Sequence, residues 1–194
     1  TDKEALNKGQ ATAENKAAET SESEVLDDKQ EKQLSAEELK ELTDELFKYF
    51  LVFGRSGVEM NMEKYDARLL TDQLLAEAAF DLADAGFTVS RSDFEGECGI
   101  TVDPLYLKRV FDNLVSNIKK YADPASPVMA VCGLENGLFS VCVSNTVKRS
   151  MSRVESTKIG LRTCERILET MGGQFRTVTE DGKFAAELIL PAEE

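Results

Sequence analysis

From Asp103 to Ala122 the chain reads DPLYLKRVFDNLVSNIKKYA, and four residues in this stretch could do chemistry together. At about 100° per residue on a helix, Asn113 and Asn117 stand about 40° apart. Lys120 extends that stripe by another turn. Tyr121 lies between the stripe and an apolar arc of Leu107, Val110, Phe111, Leu114, Val115 and Ile118. The spacing lines amide, amide, ammonium and phenol along the rim of a buried surface. Two readings fit such a line. One is a solvated helix edge, Asn being a mediocre helix former. The other is a site for a hard anionic ligand. Amide oxygens can complete the shell of a Mg2+ ion that keeps most of its waters and takes the rest from phosphates. A neighbouring Lys then offsets phosphate charge.

A loop further on carries the same theme. Between Thr146 and Lys158 lie Lys148, Arg149, Arg153 and Lys158 against one acid, Glu155. In a chain of net charge -13 this is a local reversal of sign. Such a loop alone is also ordinary surface variation. Its place directly before a helix start favours anions, because unpaired N–H groups and the helix dipole point there.

The elements that must hold these residues can be read from pattern. Ser35-Ala36-Glu37-Glu38 is a capping box opening a helix. Leu39, Leu42, Leu46, Tyr49, Phe50 and Phe53 follow at heptad-like spacing. That stripe suits either packing onto the chain's own core or the stem of a helical hairpin. Val58, Met60 and Met62 alternate with polar residues and predict a first strand. Asp66 caps a helix whose buried side is expected to hold Leu69, Leu70, Leu74, Leu75, Ala78, Leu82 and Ala85, with Gly86 as its stop. Phe87–Val89 and Gly99–Val102 are short strands. Asp103-Pro104 starts the amide-bearing helix, which should run to about Tyr121. Hairpins are expected across Glu135-Asn136-Gly137 and Asp181-Gly182, with a helix over Lys158–Met171 between them. The order β, α, β, β, α, β, β, α, β, β implies a two-layer α/β sandwich over a mixed sheet.

Composition sets the remaining bounds. The chain has 194 residues, enough for one well-cored domain and something extra. Residues 1–34 are polar and lack aromatics, which predicts a disordered tail or linker. The first residue is Thr, so the chain is expected to be a piece of a longer protein. No apolar run matches a membrane span or a signal peptide. The acidic balance argues against nucleic acid and anionic membranes as partners. Four cysteines, none spaced as CxxC, suit reduced thiols in a cytoplasmic protein. If Asn136-Gly137 is a two-residue turn, Val131 faces Cys142, and Cys132 lies on the opposite face. The chain has no histidine, which excludes His-based acid–base chemistry and His metal ligation within it.

The stretches LKRVFDNLVSNIKKYAD, FSVCVSN, STKIGLRTCERILETMGGQF and FAAELILP resemble, in order and spacing, the ATP-binding catalytic domain of sensor histidine kinases. This domain belongs to the wider GHKL group, with gyrase, MutL and a heat-shock chaperone. The likeness covers roughly Val58 to Pro191. It implies a Bergerat-type fold with three helices on one face of the sheet, with residues 57–194 as the catalytic domain. Residues 35–54, containing AEELKELTDELFKYFLVF, resemble the second helix of the dimerization and phosphotransfer hairpin. That favours the hairpin-stem reading of the heptad stripe.

The resemblance also implies roles. Asn113 and Asn117 match the N box that contacts Mg2+ and the phosphates of ATP. Lys120 and Tyr121 match its phosphate-contacting and nucleotide-stacking positions. Asn145 stands where the family usually has an Asp reading the adenine amino group. Residues 146–157 match the ATP lid. Ser156–Leu161, with Thr157, Lys158, Gly160 and Leu161, match the glycine-rich box at a helix start. Here the chain departs from the pattern. Asn145-Thr146-Val147-Lys148-Arg149 has no glycine, and Ser156–Leu161 keeps only Gly160. Lys158 would supply phosphate charge directly.

In the ATP-hydrolysing relatives a Glu stands four residues before the Mg2+ Asn. Asn113 occupies that position here, so no carboxylate is present to activate water. The expectation is transfer of the γ-phosphate to a histidine outside this chain, on a hairpin of the same or a sister protein. The resemblance further implies a response regulator and a homodimeric, membrane-anchored parent protein. Two alternatives share the fold. One is an anti-sigma-factor-like serine kinase, against which the Ser35–Phe53 stripe speaks. The other is a degenerate interaction module, which the missing glycines favour.

Overall fold

The computed structural model describes residues 59–92, 94, 96–149 and 159–193, together with Leu39, Lys40, Thr43 and Leu46. The chain divides into two compact units, Thr1–Thr43 and Asp44–Glu194. In the first, Leu39, Lys40 and Thr43 are helical, and the Thr43 hydroxyl donates to the Leu39 carbonyl at 2.8 Å. Leu46, in the second, is helical and exposed. The expected tail over 1–34 and most of the Ser35–Phe53 stripe lie outside the described residues.

The second unit follows the expected element order. It runs β1 (Glu63–Asp66), α1 (Ala67–Asp84), β2 (Val89–Ser92), β3 (Gly99–Val102), α2 (Pro104–Tyr121), β4 (Val128–Glu135), β5 (Leu138–Thr146), α3 (Ile159–Thr170), β6 (Gln174–Glu180) and β7 (Lys183–Pro191). Five strands form one mixed sheet in the order β2-β4-β5-β7-β6. The β2/β4 pair is parallel and the other pairs are antiparallel. The fold is thus an α/β sandwich. β1 and β3 form a separate antiparallel pair. Gly99 and Glu193 exchange backbone hydrogen bonds of 2.8 Å in both directions, which ties that pair to the tail of β7.

Period 2 decides which side of the sheet is buried. Val128 and Ala130 of β4, Phe139, Val141 and Val143 of β5, and Ala186, Leu188 and Leu190 of β7 join one core with the buried faces of the helices. Met129, Val131 and Leu138 face outward. Both hairpins turn where expected. Asn136-Gly137 and Asp181-Gly182 hold positive φ at both positions, the form that matches strand twist. Val131 pairs with Cys142 in that register, and all four cysteines are free.

The helix ends show why this sequence stops where it does. After α1, Gly86 at φ 85° allows its own N–H to reach Ala83 O and that of Phe87 to reach Leu82 O. Phe87 therefore belongs to the closing turn of the helix, and the second strand begins at Val89 rather than at Phe87. β1 is also displaced. Met60 and Met62 precede it, because the Asn61 N–H is taken by the Asp103 carboxylate at 2.8 Å, and the strand starts at Glu63. Val58 lies outside the described residues. The buried face of α1 is Ala67, Thr71, Leu74, Leu75 and Leu82. Leu69, expected inside, is 73% exposed, and Ala85 is exposed too. Ala67 and Thr71 take the inward positions of the first turns, which rotates Leu69 to the far side.

α2 is as the pattern predicts. Its buried residues are Leu107, Val110, Phe111, Leu114, Val115 and Ile118. Asp103 caps it while almost fully buried, its Oδ1 accepting from the Leu105 and Tyr106 N–H groups at 2.9 and 3.2 Å. Its Oδ2 holds Asn61, so one carboxylate satisfies three backbone donors. Asp103→Ala is expected to lower unfolding stability by about 1–3 kcal/mol, with Asp103→Asn intermediate. Urea denaturation followed by circular dichroism measures both.

Candidate functional site

The amide stripe lies where three elements converge. Asn113, Asn117, Lys120 and Tyr121 are all half-buried on α2. At one end of the stripe, the Asn113 Nδ2 donates to Gly160 O in the first turn of α3, at 3.5 Å. At the other end, the last turn of α2 meets the end of β5. Ala122 pairs with Val147, and the Asp123 N–H donates to Thr146 O at 2.8 Å. The line of polar side chains therefore runs from the start of α3 to the end of β5.

Asn145 closes the arc. It continues the inward row Phe139, Val141, Val143 of β5 and is only 7% exposed. Its Nδ2 donates to Thr146 O at 3.1 Å. That commits one of its two amide hydrogens to the backbone and turns Oδ1 away from Thr146 O as an acceptor.

Lys148 departs from its expected place among the cations of the loop. Its N–H donates to Tyr121 O at 2.9 Å, and its Nζ donates to Lys120 O at 3.3 Å. It thus caps the last carbonyls of α2, where Lys119 and Lys120 also stand. Arg149 is exposed. Gly160 and Leu161, expected in the phosphate-cradling box, are half-buried in the first turn of α3. Thr157 and Lys158 lie outside the described residues, as does Arg153.

The fit to a divalent cation can be judged from donor chemistry. No group of three or more His, Cys, Asp or Glu that could hold a metal stands among the described residues. The oxygens at hand are neutral amides. They suit a Mg2+ ion that arrives with phosphate oxygens and waters better than an ion held by protein alone.

Pattern reading missed Cys164. It is fully buried on α3, within 3.7 Å of the Asn113 Nδ2. Burial pushes its thiol up from 9.0 to about 12, and the Asn113 hydrogen bond partly opposes that rise. The available signal was its i+4 spacing from Gly160, which puts both on one face of α3.

The five-stranded sheet thus carries α2 with its amide edge set between the start of α3 and the end of β5. Acinetobacter baumannii histidine kinase AdeS is similar in fold, with a TM-score of 0.60 at 14% identity, over 79% of this chain and 78% of that one. The catalytic domain of histidine kinase ThkA matches at 0.56 and 15%, over 68% and 96%. Full-length ShkA, solved in complex with AMPPNP, matches at 0.59 and 19%, over 84% and 41%. At these identities the likeness is one of fold. Sensor histidine kinase YrkQ of Bacillus subtilis (strain 168) is 32% identical over 142 residues, 73% of this chain. The chain spans about a third of that relative, 32% of its length. No protein-family model matches the chain. The chain is thus similar in sequence to a sensor histidine kinase, and it has the fold of histidine kinase catalytic domains.

The Cys164 thiol yields a pH test. Its folded pKa of about 12 lies above its ordinary value of 9.0, so folding favours the protonated form. Its contribution is complete below pH 9.0 and is lost as pH rises from there toward about 12. Wild type should therefore lose stability faster than Cys164→Ser above pH 9.0. Denaturation midpoints measured from pH 8 to 11 check the difference, and parallel curves would exclude the effect.

Proposed function

We propose that this domain binds MgATP and transfers its γ-phosphate to a histidine lying outside the chain. The observation that carries the reading is the continuous arc of Asn113, Asn117, Lys120 and Tyr121 on α2. Gly160 of α3 flanks it on one side and Asn145 of β5 on the other.

In this reading each side chain has one task. The Asn113 and Asn117 oxygens would hold Mg2+ with phosphate oxygens and waters. Mg2+, when bound, neutralises charge on the β- and γ-phosphates. Lys120 adds positive charge beside the phosphates, and Tyr121 packs on the nucleotide. The Asn145 Oδ1, left free to accept by the Thr146 contact, takes the adenine amino group as a carboxylate would. Thr157, Lys158, Gly160 and Leu161 form the phosphate side at the start of α3. A histidine nitrogen then forms the new bond to the γ-phosphorus as the bridging oxygen bond breaks and ADP leaves. Asn113 has no titrating group with which to activate water, which supports transfer over hydrolysis.

The wider assembly belongs to the same proposal. Residues 35–54 form the second helix of a dimerization hairpin, residues 1–34 a linker, and residues 57–194 the catalytic domain. The acceptor histidine lies on a hairpin of the same or a sister protein. A response regulator receives the phosphate, and the parent protein is a homodimer. The free cysteines support a cytoplasmic setting. No helix among the described residues is long and apolar enough to cross a membrane.

Calorimetric titration with MgATP is expected to show binding, and Asn117→Ala should weaken it by roughly tenfold or more. Mixing the loaded domain with a histidine-bearing hairpin of the parent protein should give acid-labile phosphate on the hairpin. Absence of binding at millimolar nucleotide, with Asn117→Ala indistinguishable from wild type, would leave a degenerate interaction module instead.

A further inference from the structure

Asn113 makes contacts that a metal ligand alone would not need. Its Nδ2 donates to Gly160 O at 3.5 Å and to the Cys164 Sγ at 3.7 Å. The Cys164 Sγ donates in turn to Val110 O at 3.9 Å. Val110 and Asn113 are three residues apart on α2, so one thiol of α3 spans both.

Hydrogen-bond inventory decides which way the amide turns. A thiol has one hydrogen, and here it goes to Val110 O. Its sulfur therefore meets Asn113 only as an acceptor. Gly160 O is also only an acceptor. An amide set beside two acceptors turns its NH2 to them, since the reverse rotamer would place oxygen against oxygen and sulfur.

The orientation matters because the two ends of an amide suit opposite ligands. The NH2 donates to phosphate oxygens, whereas the oxygen coordinates a hard cation. We propose that Cys164 is a positioning residue. Its buried thiol holds the Asn113 amide so that the oxygen, rather than the NH2, faces the divalent cation of a bound nucleotide. This rests on the MgATP reading above. Cys164 itself touches neither nucleotide nor metal. It acts as the outer partner of a metal ligand, a role that commonly sets metal affinity.

The test compares wild type with Cys164→Ala, which removes the acceptor, and Cys164→Ser, which retains one donor and one acceptor. The first readout needs no ligand. The Asn113 side-chain amide resonance, assigned by its loss in Asn113→Ala, should move in Cys164→Ala and be largely restored in Cys164→Ser. Other Asn side-chain pairs should stay in place. The second readout is the Mg2+ concentration giving half-maximal binding at fixed ATP. Cys164→Ala should raise it roughly tenfold, with Cys164→Ser close to wild type and binding of ATP in EDTA unchanged. A merely structural role would lower the thermal midpoint and weaken both forms of binding together. An unmoved Asn113 resonance in Cys164→Ala, or an unchanged Mg2+ requirement in a folded variant, overturns the proposal. If wild type binds no MgATP, the nucleotide reading fails and the cation named here fails with it. The resonance still decides the contact between Cys164 and Asn113 by itself.

Discussion

The seating of α2 governs this domain. Its six buried apolar residues lock its rotation about its own axis, and the Asp103 carboxylate locks its starting point. A helix fixed in both respects has no freedom left in where its polar edge falls. Asn113, Asn117, Lys120 and Tyr121 must then stand between the start of α3 and the end of β5. The hydrophobic term here has a geometric result as well as an energetic one. It aims a line of polar groups that would each be mobile on a less firmly held helix.

Much of this was legible in the chain itself, for reasons that differ by element. The six-residue face of α2 repeats at the helical period without interruption, and Asp-Pro marks its start. Asn-Gly and Asp-Gly specify both hairpins, and hairpin geometry then sets the strand register. α1 was less clear, because leucine is equally at home on an exposed face. Leu69 fits the inward pattern as well as the exposed one, and Ala67 and Thr71 stand inward instead. β1 starts later than its alternation suggests, for a long-range reason. The Asn61 backbone is claimed by Asp103, 42 positions away, and alternation of Met60 and Met62 does not reveal that claim.

The same limit applies at the site. The side chains on α2 could be named from spacing, since they share one element. The roles of Lys148 and Cys164 could not. Lys148 reads as a loop cation until β5 is seen to end beside the last turn of α2. Cys164 reads as one more small buried residue until α3 is laid against α2. Both act across element boundaries, through contacts that one-dimensional periodicity does not encode.

The two tight hairpin turns also have a use beyond reversing the chain. Gly137 O receives the Ala192 N–H, and Gly182 O receives the Val147 N–H, each at 2.8 Å. The second bond grips the strand extension leaving β5 from one flank while Asp123 and Ala122 grip it from the other. The Asp181-Gly182 turn, on the outer hairpin of the sheet, is thereby part of the frame around Asn145. Loop length at this turn is consequently not a free variable. A single inserted residue would slip β6 against β7 and unhook Val147 in the same event, so a lesion in a peripheral hairpin would emerge as a displacement of Asn145.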